Sequence, residues 1–495
     1  MADGLGFCDA FRSHVDRQPD APALVWHDQE TTYGELFDLA AQARARLAQL
    51  DLGPDEPVGV LATKSPAAVA LVLACLLSRR RFLLPSPALA DQVLTSLFAQ
   101  AGCRHVLVPD DEPTPTPSPE GARSRALHLV DVSFMLTTSG STGLPKIVPL
   151  GRGAVDRFVR WAGARFDIRP GKTVLNHAPL NFDLCLLDIW TTLAQGGRVV
   201  LVDTAHAANG RHLLDLLVRH QVHVVQAVPM FFGLLLDAAL LLGQRLDTVE
   251  HVMFTGDAIP DRTLAELPRL FPTARLYNLY GCTETNDSFL YEVDTTAVPP
   301  VPLGDPLPGV RTVLVDPDRA VVDGPGAGEL YVSTPFQTAG YLDRARHADK
   351  FVAHPQGRDD RCYFRTGDLV RRDAQGRVFL VGRSDFQVKV RGVAINTAEV
   401  EQVLLEHPDV LEAAVVARPD PLTGRRLVSA VQRAPSSGLN SLALRAHCAR
   451  RLPQAAIPAT MQIVDEPLPK TSTGKVDRNA VDRLHELSRA TGRPS

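Results

Sequence analysis

The chain has 495 residues, 45% hydrophobic and 22% charged, which at roughly 150 residues per domain gives about three folding units and excludes a small disulfide-stapled module. Its 52 basic and 56 acidic side chains leave a formal net charge of -4 with no long like-charged block, which argues against a nucleic-acid or polyanion partner. Seven scattered cysteines (Cys8, Cys75, Cys103, Cys185, Cys282, Cys362 and Cys448), with no CxxC pair and no His cluster at metal-ligand spacing, point to reduced thiols and no structural zinc.

The first twenty residues hold no signal-peptide apolar region, and the longest apolar run, Ala67 to Leu77, falls short of the roughly 18 residues that span a bilayer. A soluble, cytoplasmic protein is expected. Arg79-Arg80-Arg81, which follows, reads as a solvated helix end. The Pro-, Ser-, Thr- and acid-rich stretch Pro109 to Ser124 cannot bury much apolar surface and is expected to be an exposed loop. From about Leu36 to Val298, strand-like runs (Val199 to Val202, Val222 to Val228, Val252 to Phe254, Leu276 to Leu279) alternate with helical stretches such as Arg211 to Val218 and Arg262 to Leu270. That order predicts parallel sheets covered by helices. After Pro299, short strands at Arg311 to Val315, Glu329 to Val332 and Arg377 to Val381 are separated by Gly, Pro and Asp turns and predict antiparallel sheet or a small barrel. Beyond Gly392, a helix with Val400, Val403 and Leu404 on one face, two strands, a helix near Leu442 to Leu452 and a last strand at Met461 to Val464 predict an α+β tail. The fold class is therefore α/β: a large N-terminal domain of parallel sheets with helices and a small β-barrel subdomain, then a small α+β domain.

Only seven of the 52 basic residues are lysines (Lys64, Lys146, Lys172, Lys350, Lys389, Lys470 and Lys475), so each one raises the question of why it is there. Thr137-Thr138-Ser139-Gly140-Ser141-Thr142-Gly143-Leu144-Pro145-Lys146 can wrap a phosphate: glycines let backbone N–H groups converge, hydroxyls add donors, and Lys146 adds a mobile charge. It is not a Walker A loop, which needs GK followed by Ser or Thr. Tyr280-Gly281-Cys282-Thr283-Glu284 follows an apolar run and so sits where loops leave the carboxyl ends of a parallel sheet. Glu284 there suits Mg²⁺ beside a nucleotide, and Tyr280 offers a face to a base. In Tyr363-Phe364-Arg365-Thr366-Gly367-Asp368, the acid can accept from paired hydroxyls such as those of ribose, or simply make a turn. Gly382-Arg383-Ser384-Asp385 separates the two textures, and Pro469 to Arg478 is a second Gly/Ser/Thr/Lys loop, able to carry Lys475 into and out of a site.

In this order the strings resemble the adenylate-forming superfamily of acyl-CoA synthetases, luciferases and the adenylation domains of non-ribosomal peptide synthesis, with stand-alone amino acid:carrier-protein ligases nearest. The resemblance implies an N-terminal adenylation core over residues 1–384 and a mobile lid over 385–495, hinged at Asp385. It implies a ligase that uses ATP and Mg²⁺, forms an acyl-adenylate with release of pyrophosphate, and passes the acyl group to a thiol. By the same resemblance Lys475 bridges the carboxylate and α-phosphate, Thr138 to Lys146 (Ser139, Gly140, Ser141, Thr142 and Gly143 between them) hold pyrophosphate, and Glu284 holds Mg²⁺. Thr283 meets a phosphate oxygen, Tyr280 packs on adenine, Asp368 holds the ribose and Arg383 assists it. Two departures stand out: Ala394 and Asn396 where relatives usually carry Arg and Glu, and Leu77 to Pro87 where they commonly carry Lys-Ala-Gly and Pro-Leu-Asp.

Asn176 to Trp190 resembles the segment with which amino-acid-activating members hold the substrate ammonium, Asp183 being the counter-charge. A buried carboxylate without a cation is costly, which argues for an amino acid over a fatty or aryl acid; the plainer alternative makes Asp183 a helix cap before Leu184 to Leu193. The resemblance walls the pocket with Leu184, Leu187, Gln226, Met253, Thr255, Leu279, Asp287 and Ser288, which fits a small or medium amino acid, with a polar or second basic group near Asp287. The same segment resembles prolyl-carrier-protein ligases, and both possibilities stay open. Twenty residues follow Lys475 without a carrier serine motif, so the expected acceptor is a separate phosphopantetheinyl carrier protein, with no membrane partner. An acyl-CoA or aryl-acid ligase, and more remotely a non-catalytic nucleotide-binding protein, are the alternatives.

Overall fold

A computed structural model describes residues 5–109, 114–115, 131–138, 145–294, 300–343, 347–384, 387–390, 393–420, 424–471 and 476–483. The chain divides into two compact units, Met1–Thr312 with Tyr331–Arg365, and Val313–Leu330 with Thr366–Ser495.

In the first unit the described residues form a nine-stranded and a six-stranded sheet. The centre of the larger sheet is parallel: Pro22–Trp26, Arg198–Leu201, Thr173–Asn176, Val224–Ala227, His251–Thr255 and Arg275–Cys282 lie side by side in that order. Antiparallel strands close both edges, Gln29–Thr32 on one and Asn286–Glu292 with Asp305–Pro306 on the other. The central strands are near-continuous Val, Leu and Ala runs because helices cover them. Gly210–Arg219, capped by the Asn209 side chain on the His212 N–H at 3.2 Å, buries Leu213, Leu214, Leu216 and Leu217 against Phe231, Phe232 and Leu235 of Pro229–Leu242. Thus the predicted alternation of strand and helix is observed, with each element within a few residues of its expected place.

The apolar run Ala67 to Leu77 is the helix Pro66–Leu77, started by the Ser65 hydroxyl accepting from the Ala68 N–H at 3.1 Å and buried from Ala68 to Leu77. Apolar on every side, it is a core helix; no helix among the described residues is long and apolar enough to cross a membrane. The arginine run after it does more than meet solvent. Arg80 donates to the carbonyls of Gly53 and Glu56 at 2.6 and 2.9 Å, and Arg81 pairs with Asp55 at 3.0 Å, so the run pins the Gly53 to Glu56 turn. Of the expected 109–124 loop, Thr114–Pro115 is a short strand antiparallel to His105–Leu107; most of the remainder lies outside the described residues.

The antiparallel texture expected after Pro299 is present in both units. Phe351–Ala353 pairs with Cys362 to Phe364 in the first, and Asp368 to Arg372 with Val378–Arg383 in the second. The second unit also holds the α+β segment: helix Thr397–Leu405, antiparallel strands Val410–Asp420 and Gly424–Arg433, helix Ser441–Ala449, and Thr460–Val464 parallel to the second strand. Val400, Leu404, Val415, Leu427, Val431, Leu444 and Met461 form its core. Asn396, one of the departures from the family pattern, caps the first helix by accepting from the Ala398 N–H at 3.0 Å. The hinge expected at Asp385 lies outside the described residues.

One turn decides the geometry at the edge of the larger sheet. Between Arg275–Cys282 and Asn286–Glu292 the register slips after Tyr280, and Asn286 takes a positive φ of 56°. A Cβ at Gly281 would stand 2.4 Å from the Asn286 carbonyl oxygen and 2.8 Å from the Asp287 Cα. Gly281→Ala is therefore expected to lower stability by about 2 kcal/mol, seen as an earlier thermal unfolding midpoint.

Candidate functional site

Four adjacent parallel strands set the floor. Register places Asn176 beside Gln226, Gln226 beside Met253 and Met253 beside Tyr277, with Thr255 beside Leu279 two residues further along. Because side chains alternate across a strand, all of these point to one face. The expected pocket residues Gln226, Met253, Thr255 and Leu279 thus come together near the carboxyl ends of the strands, where open α/β sheets bind ligands. Gln226 Nε2 donates to the Leu184 carbonyl at 3.4 Å, which brings in the segment after Asn176. That segment turns at Pro179 to Asp183 and continues as a π-helical turn, Leu186–Thr191, with Leu187 and Asp188 fully buried.

Asp183 accepts hydrogen bonds from the Thr283 hydroxyl and the Leu184 backbone, while Cys185 holds the cap position of the helical turn, so Asp183 is not the cap of a regular helix. Burial raises its pKa above the ordinary carboxylate value, against the lowering effect of Thr283. Asp287, paired with Gly281 across the slipped register, is pushed well above its ordinary value by burial and by the negative charge of Asp183. Burial thus opposes ionisation of both carboxyls, and the charge of Asp183 reaches Asp287. Ser288 is fully buried and donates to Thr285 Oγ1 at 3.2 Å and the Asn286 carbonyl at 3.3 Å, which engages its hydroxyl within the turn.

The Gly/Ser/Thr loop closes at its base, where Thr138 pairs with Lys146 across antiparallel strands; Ser139 to Leu144 lie outside the described residues. The Lys146 ammonium lies 4.9 Å from the centre of the Tyr341 ring, and the Tyr341 hydroxyl donates to Glu284 Oε1 at 2.6 Å. Tyr341 therefore joins the expected phosphate lysine to the expected metal carboxylate, and sequence reasoning missed it. A signal existed: it is one of only seven tyrosines in the chain. Glu284 is buried, with one oxygen engaged by Tyr341. No group of three potential metal-ligating side chains occurs among the described residues. A single carboxylate suits Mg²⁺ that takes its other ligands from phosphate and water. Tyr280 meets Phe289 edge-on, ring centres 5.7 Å apart.

In the second unit Asp368 and Arg383 are register partners and form an ion pair, Nη1 to Oδ1 2.7 Å. The Asp368 N–H donates to Thr366 Oγ1 at 3.0 Å, and the Thr366 hydroxyl to the Leu330 carbonyl at 2.8 Å. Lys475 lies outside the described residues, but its loop is closed at the base by the Lys470–Val476 bridge and by the Lys470 ammonium on Glu412 Oε1 at 2.5 Å. The side chain of Ala394 is also outside them; its backbone belongs to Val393–Asn396, paired with Gln387–Val390.

Sequence reasoning also missed a buried polar network. Lys64 donates to the carbonyls of Asn176 and His177, both at 3.1 Å, and Asn176 Nδ2 donates to Asp188 Oδ2 at 3.1 Å. Burial lowers the Lys64 ammonium to about 8 and raises the Asp188 carboxyl well above its usual value. The scarcity of lysine was the only signal for Lys64.

Comparison with known proteins gives a consistent result. A family profile described as "AMP-binding enzyme" matches residues 11–342, and the "AMP-binding enzyme C-terminal domain" matches 399–475. An L-proline--[L-prolyl-carrier protein] ligase of Pseudomonas fluorescens is 35% identical over 364 residues, 73% of this chain and 70% of that one. A protein of the same name from Streptomyces coelicolor is 32% identical over 503 aligned positions, covering 92% of each. Among solved structures, Klebsiella oxytoca NpsA in complex with 3-hydroxyanthranilyl-AMSN superposes with a TM-score of 0.80 at 23% identity, over 98% of this chain and 100% of that one, which establishes the fold.

The raised carboxyl of Asp287 gives a pH-dependent stability. Between the ordinary carboxylate pKa and the raised one the folded state holds a proton that the unfolded state has lost, so this group's contribution falls as pH rises. Asp287→Asn is expected to unfold at a higher temperature than the parent at pH 8, the gap closing towards about pH 4, near the unperturbed pKa. Thermal scans across that range check the sign.

Proposed function

The chain belongs to the AMP-binding enzyme family, and from that premise we propose that it activates an amino acid as its aminoacyl-adenylate and transfers it to the phosphopantetheine thiol of a separate carrier protein, in natural-product assembly. The observation that carries the amino-acid assignment is Asp183, a carboxylate held by Thr283, next in the chain to the Leu184 carbonyl that Gln226 bonds, and near enough to Asp287 for its charge to act there. A fatty or aryl acid would leave both without a counter-charge, whereas an α-ammonium supplies one. The two relatives named as L-prolyl-carrier protein ligases support the same substrate class and make proline the reference acid.

The proposed chemistry is attack of the substrate carboxylate on the α-phosphate of ATP with departure of pyrophosphate. Lys475 neutralises charge on the α-phosphate and carboxylate oxygens as it develops. Thr138 and Lys146, at the base of their loop, hold the departing phosphates, and Tyr341 keeps Lys146 and Glu284 together. Mg²⁺, when held by Glu284, supplies charge neutralisation on the phosphates. Thr283 orients Asp183, Tyr280 packs against the base, and Asp368 receives the ribose hydroxyls with Arg383 fixing its carboxylate. Catalysis of this kind is largely positioning and electrostatics. Residues 385–495, turning at Asp385, form the lid that exchanges the adenylation and thiol-transfer arrangements.

Amino-acid-dependent ATP–pyrophosphate exchange tests the proposal across proteinogenic, diamino, β-amino, aryl and fatty acids. One amino acid should dominate, and exchange only with aryl or fatty acids would overturn the assignment. Asp183→Ala should abolish that exchange while nucleotide binding persists. Lys475→Ala should still bind ATP by calorimetry yet lose about a hundredfold or more in exchange, the scale of a lost transition-state charge partner. Tyr341→Phe keeps the ring beside Lys146 and removes only the donor to Glu284; an approximately fivefold weaker nucleotide affinity is expected.

A further inference from the structure

Lys64 is 5% exposed, and its ammonium donates to two backbone carbonyls, those of Asn176 and His177, each at 3.1 Å. Taking an ammonium out of water is costly, so the reason for this lysine lies in what it holds. It reaches from one sheet to the other. Lys64 follows the strand Val58–Val60 of the six-stranded sheet and precedes Ser65, the cap of Pro66–Leu77, whereas Asn176 ends Thr173–Asn176 in the nine-stranded sheet.

The chain leaves the larger sheet at this point. The Asn176 carbonyl also accepts from the Val202 N–H at 3.0 Å, as a strand residue does, but His177 lies one residue past the strand and its carbonyl takes its donor from Lys64. The His177 ring is held on its own account: Nε2 donates to the Ala207 carbonyl at 2.9 Å, and the ring meets Phe231 with centres 4.9 Å apart.

Further contacts carry this placement to Asp183. Asn176 Nδ2 donates to Asp188 Oδ2 at 3.1 Å and to Cys185 Sγ at 3.4 Å, and the Cys185 thiol donates to the Pro179 carbonyl at 3.2 Å. Between them the backbone winds in consecutive turns, with the Phe182 N–H on the Pro179 carbonyl at 3.0 Å, the Cys185 N–H on the Phe182 carbonyl at 3.1 Å and the Leu186 N–H on the Asp183 carbonyl at 2.8 Å. Asp183 therefore rides on a short loop whose entry is held by Lys64 and whose exit is held by the Asn176 side chain. Both holds meet at Asn176, whose backbone takes the ammonium and whose amide takes Asp188 and Cys185. The Lys146, Tyr341 and Glu284 arrangement on the phosphate side is held by other contacts.

Resting on the amino-acid assignment above, we propose that Lys64 is a positioning residue for the substrate ammonium: by fixing Asn176 and His177 it sets where Asp183 stands. It acts through the loop and governs affinity for the amino group, leaving the nucleotide side as it is.

The test takes the amino acid that the parent prefers in ATP–pyrophosphate exchange, and its des-amino analogue, the same acid without the α-amino group, as a competitive inhibitor. Lys64→Met keeps the length of the side chain and removes its donors and charge. The amino-acid KM is expected to rise about tenfold, less than the roughly hundredfold that a displacement of about 1 Å can cost, while the ATP KM and the Ki of the analogue stay within about twofold. None of these constants depends on the fraction of enzyme folded, so a merely less stable protein would move none of them. Asn176→Ala cuts the other half of the hold with Lys64 in place and should show the same split, so the result does not hang on one variant folding. An amino-acid KM that either variant leaves unchanged, or a rise shared equally by amino acid, ATP and analogue, would overturn the role of Lys64 while the amino-acid assignment stands. Exchange by the parent with no amino acid would overturn both.

Discussion

A carboxylate enclosed by protein is tolerated only beside a cation or enough hydrogen-bond donors, and that constraint organises the first unit. Asp183, Asp188 and Asp287 all stand where burial opposes their ionisation, and among the described residues Lys64 is the lysine whose charge reaches this group, through Asp188. Thr283, the Leu184 backbone and Asn176 supply some of the missing donors. What these donors do not meet is met by the raised pKa values themselves, which favour the protonated carboxyls until a cation is brought beside them. A fold that keeps such carboxyls sacrifices stability for them, which is the pattern expected where a ligand completes the structure.

The sheet makes that grouping possible. Parallel pairing aligns residues from Thr173–Asn176, Val224–Ala227, His251–Thr255 and Arg275–Cys282 in rows, so positions up to about a hundred residues apart in sequence become neighbours with fixed facing. The slipped register at Gly281 then turns Asp287 into the group, a placement no regular hairpin would produce. On the phosphate side the same economy appears in one aromatic ring: Tyr341 serves Lys146 with its face and Glu284 with its hydroxyl.

Much of the fold was legible because its signals are periodic. Alternation of apolar runs marked the parallel strands, and spacing at Val400, Val403 and Leu404 marked the helix Thr397–Leu405. The candidate site was legible where chemistry is local, as in the Thr137 to Lys146 loop or the Tyr280 to Glu284 turn. It was not legible where the partner comes from far away. Tyr341 lies 57 positions from Glu284, and Lys64 lies 112 from Asn176. Nothing in their neighbours announces a role, and only rarity of residue type hinted at one. Asp188 stands inside the Asn176 to Trp190 segment, but whether an acid five residues after another faces solvent or the sheet depends on the helical pitch between them, and a π-helical turn changes that pitch.

That pitch has an evolutionary consequence. A π-helical turn accommodates one more residue per turn than an α-helix, which advances by about 100° per residue. Loss of a single residue within Leu186–Thr191 would restore the ordinary pitch and swing Asp188 away from Asn176 while leaving every strand of the sheet in register. The lining of the floor can thus be exchanged wholesale by a one-codon deletion or insertion, with no need for the coordinated point substitutions that a rigid strand would demand. Among descendants of such a chain, segment length between Asp183 and Trp190 becomes an inherited marker of what the floor accepts, readable directly from the gene.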